Sequence, residues 1–112
     1  MEAATTAAPA HAPQHMQALA HANRIRLARA AIKRDVRAGA SSAANVVRDC
    51  PYEVETMTVS ELLRSQQRWG RTRARKFLAS LALNENRQLG RLTERQRRML
   101  ARELERKAAM RG

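Results

Sequence analysis

Thr58-Val59-Ser60-Glu61-Leu62-Leu63, Arg68-Trp69-Gly70-Arg71-Thr72-Arg73-Ala74-Arg75 and Arg87-Gln88-Leu89-Gly90-Arg91-Leu92-Thr93-Glu94-Arg95-Gln96 are the stretches that decide how this chain folds. Thr58 with Glu61, and Thr93 with Gln96, have the spacing of a capping box, which starts a helix. Between them Ala74, Phe77, Leu78 and Leu81 recur at three- and four-residue steps, so Thr72–Leu81 reads as a helix entered from a turn at Gly70. A helix start exposes unpaired N–H groups and the positive end of the macrodipole. With a glycine before it and arginines around it, such a start suits a phosphate. The plainer account of Gly70 is an ordinary helix-joining turn, but four cations between 68 and 75 favour the phosphate. Two such turns in one small domain suggest a clamp on a nucleic-acid backbone.

Outward from this stretch the pattern stays helical. From His15 to Ala38 the chain is rich in Ala, Leu and Arg and free of Gly and Pro, with Gly39 as the stop. Ile25, Ala28, Ile32 and Val36 form a narrow apolar stripe. Arg26, Arg29, Lys33 and Arg37 form a basic one beside it, a solvated face or a second DNA contact. Ser41 or Ser42 can cap a short helix, Ala43–Asp49, that buries Val46 and Val47 and ends at Pro51. Cys50–Met57 reads as a loop with Val54 and Met57 inward. The helix from Thr58 carries Val59, Leu62 and Leu63 to the core and runs to about Gln66. Trp69 packs the first turn. Asn84 caps a turn over Glu85–Leu89. A last helix follows to about Met110, with Leu92, Leu100 and Leu104 inward, Met99 at the border, and Glu94/Arg98 and Glu103/Lys107 as favourable pairs. No segment alternates apolar and polar with β-branched content, so the expected class is all-α. The expected division is a disordered tail over 1–14, a long helix over 15–39, and a helical DNA-binding domain over 40–112.

Composition points the same way. The 112 residues suit a single small domain. Lys plus Arg number 22 against 10 Asp plus Glu, a formal charge of +12, and no cation precedes Arg24. Only three of the 22 are lysine, a bias toward forked hydrogen bonding to phosphate. Nucleic acid is the default partner of so basic a domain. Tyr52, Trp69 and Phe77 are the only aromatics, too few to stack a single strand, which favours duplex backbone. Cys50 is alone, so no intrachain disulfide or cysteine-based zinc site can form, and a reducing compartment is expected. His11, His15 and His21 are loosely spaced without acidic partners, so no metal is expected. Neither a transmembrane run nor a secretory signal is visible, giving the expectation of a cytoplasmic protein that does not enter membranes. No nucleophile-base pair or P-loop stands out, so neither catalysis nor a cofactor is expected.

The series Arg29-Ala30, Lys33, Gly39, Met57-Thr58-Val59-Ser60, Leu62-Leu63, Gly70-Arg71-Thr72-Arg73-Ala74, Arg87, Leu89, Leu92 and Arg95-Gln96-Arg97 resembles the actinobacterial, or mycobacterial, integration host factor family. The resemblance spans roughly residues 22–104. It implies a long N-terminal helix and a compact helical domain with a helix-two-turns-helix DNA-binding motif. It also implies a nucleoid-associated protein that binds duplex DNA with little sequence preference, bends or compacts it, and assists phage integrases; separately, a monomer is expected. Gly70, Arg71 and Arg73 would hold one phosphate run, and Arg87 with Arg91 another. The chain departs from the family in having Arg68 where a second glycine is usual and Trp69 where a small aliphatic is usual. Glycine and arginine are exchanged at Gly90-Arg91.

The expected DNA-binding set is therefore Arg68, Trp69, Gly70, Arg71, Thr72, Arg73, Arg75, Arg87, Gly90 and Arg91, extended by Arg26, Arg29 and Lys33. The chief rival is a structured-RNA or ribosome-associated protein, because a small-subunit ribosomal protein has a similar turn motif. Repair glycosylases carry a comparable motif as well, but the start Met1-Glu2-Ala3 lacks their Pro-Glu pair. A basic helical protein that binds a partner or a membrane surface is the remaining reading.

Overall fold

The computed structural model describes residues 14–111, with the side chain of Arg111 excepted. Apart from Gln14, the tail expected over 1–14 lies outside these residues, as does His11. Five helices follow in order: α1 (Gln14–Ala38), α2 (Ala43–Asp49), α3 (Val59–Arg64), α4 (Arg71–Ser80) and α5 (Glu94–Arg111). Single 3-10 turns stand at Tyr52–Val54 and Leu89–Arg91. Among the described residues there is no strand, only an isolated bridge between Thr58 and Gln88, so the fold is all-α.

Helices of six or seven residues do not hold alone in water, so caps and packing must supply what length does not. Ser42 caps α2 by accepting the Asn45 N–H at 3.0 Å, and Thr58 caps α3 by accepting that of Glu61 at 3.1 Å. At α5 the box is complete. Thr93 Oγ1 accepts the Gln96 N–H, and Gln96 Oε1 accepts the Thr93 N–H, both at 3.0 Å. At α3 it is half made, because the Glu61 carboxylate turns away to α1.

The core runs through all five helices. Leu62, Leu63, Leu78, Leu89 and Leu100 are fully buried, each worth about 1.5–3 kcal/mol of transfer free energy. Val36 is the one buried residue of α1; Ile25, Ala28 and Ile32, expected beside it, are half-buried where the helix leaves the body. Leu83 joins the core although the sequence pattern did not single it out, whereas Leu81 is only half-buried.

Helix ends follow two stops. Gly39 sits past α1 at φ +81°, with the Ala40 N–H donated to the Asp35 carbonyl. Past α4 the same geometry falls on an alanine. The Leu83 N–H reaches the Leu78 carbonyl at 2.9 Å and that of Ala82 reaches Ala79 at 3.0 Å, with Ala82 at φ +58°. A left-handed alanine costs about 1 kcal/mol that glycine does not. Ala82→Gly should therefore raise stability by roughly 0.5–1 kcal/mol in urea denaturation, with glycine's larger unfolded-state entropy taking back part of the gain.

Candidate nucleic-acid interface

The two turns are positioned from one place, the start of α3. The Val59 N–H donates to the Arg87 carbonyl at 2.8 Å, that of Ser60 to Glu85 at 3.1 Å, and that of Leu89 to Met57 at 2.9 Å. Segment 85–89 is thus laced along the entry to α3, while the Gly70 turn leaves from its other end. Arg75 Nε meets Glu85 Oε2 at 3.2 Å, which ties α4 to the same segment. Arg71 lies one helical turn before Arg75 on that flank, so the first turn's arginine and the second turn's segment share a side of the molecule. Arg73 lies about 200° around the helix from Arg71. It faces the other flank, where its guanidinium packs 4.3 Å from the Trp69 ring centroid.

The start of α4 differs from those of α2, α3 and α5. Gly70 offers no side-chain cap, and, unlike α3 and α5, the first turn holds no acidic residue. Its carbonyl takes the Ala74 N–H, leaving the amides of Arg71, Thr72 and Arg73 without an acceptor among the described residues. Arginines at 71, 73 and 75 crowd the positive end of the dipole, against the usual preference. Gly70 itself has φ −88°, which any residue adopts, and a Cβ there would meet nothing within 4 Å. Neither backbone nor packing explains why it is glycine. Arg68, two residues before, stands at φ +70°, the left-handed region that suits glycine, at the position where the resembled family has one.

Gly90 is explained from within. A Cβ there would lie 3.0 Å from that of Glu55 and 3.1 Å from the Glu55 carbonyl oxygen. Its N–H donates to that same carbonyl at 2.9 Å. Gly90 therefore serves close packing of the second turn on the turn after Tyr52–Val54, and its amide is not free for a phosphate, contrary to the sequence-based expectation. Trp69 is likewise internal: it is 5% exposed, stacks edge-to-face on Phe77 at 5.3 Å, and is covered by Arg73. Thr72, Arg68, Arg71, Arg87 and Arg91 are exposed, and the four arginines have no carboxylate within ion-pair reach among the described residues.

The cations of α1 are partly engaged. Arg29 Nη2 contacts Glu61 Oε1 at 3.1 Å and Lys33 Nζ contacts Oε2 at 2.8 Å, while Arg26 bonds Asn23 at 2.7 Å. Arg29 and Lys33 thus fasten α1 to α3. Partial burial alone would raise the Glu61 carboxyl, but Lys33 and Arg29 outweigh it and hold the carboxyl below its usual 4.5. A lowered folded value means that this contribution is complete above about pH 4.5 and drains away as the pH falls through the folded value. Glu61→Gln should accordingly lower the melting temperature at pH 7, and the difference from the native protein should shrink as the pH falls below 4.5.

One residue whose role the sequence did not disclose is Arg97. It is largely buried and donates to the carbonyls of Val47 at 2.8 Å, Leu89 at 3.0 Å and Leu92 at 3.4 Å. It clamps α2, the second turn and α5 together. Its position with Leu100, Ala101 and Leu104 at helical steps, a cation on an apolar stripe, is the signal that could have found it. Glu94/Arg98 pairs as expected, at 3.8 Å; Glu103 instead takes Arg106 at 2.7 Å, leaving Lys107 free of a carboxylate among the described residues.

No protein-family profile matches the sequence, and no curated protein matches it. Among solved structures, sIHF bound to an 8bp palindromic DNA is similar, with a TM-score of 0.68 and 28% identity. The match covers 75% of this chain and 97% of that one. The two chains share one all-α, IHF-like fold.

Proposed function

We propose that this chain binds duplex DNA through its phosphate backbone with low sequence specificity, as a non-enzymatic, nucleoid-associated protein of the integration host factor kind. The single observation that carries the reading is the start of α4. A glycine without an internal reason stands before three unpaired amides and beside unpaired Arg68 and Arg71, on a fold similar to that of a protein solved on DNA. The amides and Arg71 take one phosphate run. Arg87 and Arg91 take another, with Arg91 carried on the Gly90 turn. Arg75 contributes less than its charge, since Glu85 offsets it. Arg26 extends the footprint; Arg29 and Lys33 do so only by sharing with Glu61.

With Trp69 and Phe77 inside, Tyr52 is the one exposed aromatic among the described residues, which supports backbone contact over base stacking. Phosphate contacts set position and carry no direct base information, so preference arises from DNA shape and stiffness. Bending or compaction of DNA and assistance to a phage integrase are the activities this binding would serve, in an actinobacterial or phage setting, by a monomer in the cytoplasm. No described helix is long and apolar enough to cross a membrane.

If roughly 4–8 phosphates are neutralised, log K against log salt should slope at about −4 to −7. Fluorescence anisotropy with labelled duplexes of several sequences measures this, and an affinity indifferent to salt would exclude the mechanism. Folded RNA competing better than duplex DNA at matched salt would transfer the same surface to an RNA target.

A further inference from the structure

We propose that the groove between α4 and the later part of α5 docks an acidic peptide segment of a partner protein, one that carries an apolar anchor side chain. The groove, about 530 Å³, is lined by Trp69, Thr72, Arg73, Lys76, Phe77 and Lys107 among others. Its floor is the edge-to-face pair of Trp69 and Phe77. Its rim is three cations, and no carboxylate lines it. Glu105, Glu61 and Glu85 each reach into one of three other depressions, while a smaller one between Lys33, Arg34, Arg37 and Ser65 has cations but no aromatic lining. Glu103, one helical turn before Lys107, is spent on Arg106, and Glu105 on Arg48. The groove therefore holds concentrated, uncompensated positive charge over an apolar base. Arg73 already packs over the indole, so little side-chain freedom is lost when it grips a carboxylate.

Two features favour a peptide over nucleic acid. The groove opens on the flank of α4 away from Arg71 and Arg75, and an aromatic floor contributes nothing to a phosphate contact. An acidic segment with one aromatic side chain satisfies both halves of the groove, carboxylates at the rim and the ring packed on the Arg73 guanidinium that covers Trp69. The site stands on its own geometry, whatever the α4 start binds.

Trp69 is the only tryptophan, so its emission in the full-length protein reports the groove directly. The probe is a twelve-residue peptide of Asp and Glu with one central Phe. Controls are the same peptide with Ser at the centre and a labelled DNA duplex. The Phe peptide should shift Trp69 emission and bind at micromolar concentration. The Ser peptide, and Lys107→Glu or Lys76→Glu with the Phe peptide, should each bind about ten-fold more weakly, while both variants keep duplex affinity within roughly three-fold. Equal binding of the two peptides would reduce the effect to bulk charge and overturn the proposal. So would indifference to the lysine changes. Displacement of the peptide one for one by duplex, with Lys107→Glu weakening DNA as much as peptide, would give the groove to nucleic acid.

Discussion

Gly70→Asp should make the protein slightly more stable and at least about ten-fold weaker toward duplex DNA. Both changes arise at the same three amides. The backbone at Gly70, φ −88° and ψ −177°, is already that of a capping residue, and there is open space for a side chain. An aspartate there would accept an N–H from Thr72 or Arg73 and place a negative charge at the positive end of α4. That gains a few tenths of a kcal/mol over glycine. The same carboxylate would then occupy the seat reserved for phosphate and repel the next one. A ten-fold loss corresponds to about 1.4 kcal/mol, modest for a blocked charge-assisted contact. Gly70→Ala separates crowding from charge, since it adds bulk alone and should weaken binding less. Thermal melts and anisotropy on the same samples check both signs; stability and DNA affinity rising together would refute the role given to the α4 start.

Arg97→Ala is expected to have the largest effect on stability, about 3 kcal/mol. Removing the guanidinium leaves the part-buried carbonyls of Val47, Leu89 and Leu92 without their donor, at about 1–3 kcal/mol for each that finds no water. For a domain of this size 3 kcal/mol lowers the melting temperature by roughly 10–20 °C. Arg97→Lys keeps a charge but not the fork, and should recover only part of the loss. Arg102→Ala, at an exposed arginine on the same helix, is the control and should change little. Equal melting temperatures for the two alanine variants would show that the clamp is not needed.

What the sequence disclosed and what it withheld divide by reach along the chain. The caps at Ser42, Thr58 and Thr93, and the stop at Gly39, depend on residues three or four apart, so spacing alone carries them. Arg48 with Glu105, Arg29 with Glu61, and Arg97 with Val47 are 57, 32 and 50 residues apart, and only the assembled fold brings them together. For the same reason Glu61 was assigned to its own helix start, when two cations of α1 compete for it more strongly. At the candidate interface, Arg68, Gly70, Arg71 and Arg87 stand as exposed as the motif implied. Trp69 does not, because Phe77 encloses it, and Gly90, although exposed, has its amide taken by the Glu55 carbonyl; both partners lie outside the turns themselves.

The lacing of residues 85–90 onto 55–60 has a mechanical consequence. Four backbone hydrogen bonds, from Ser60, Val59, Leu89 and Gly90, hold the second arginine-bearing bend on the entry to α3, and α3 with the packed Trp69 carries the first bend at its other end. A duplex seated on both bends meets a ruler of set length. DNA is stiff over so short a span, with a persistence length of about 50 nm, so where the two spacings disagree the duplex can seat on both bends only by bending at a cost that depends on its sequence. Curvature would then be imposed by the protein's own geometry and would vary with how readily each sequence yields.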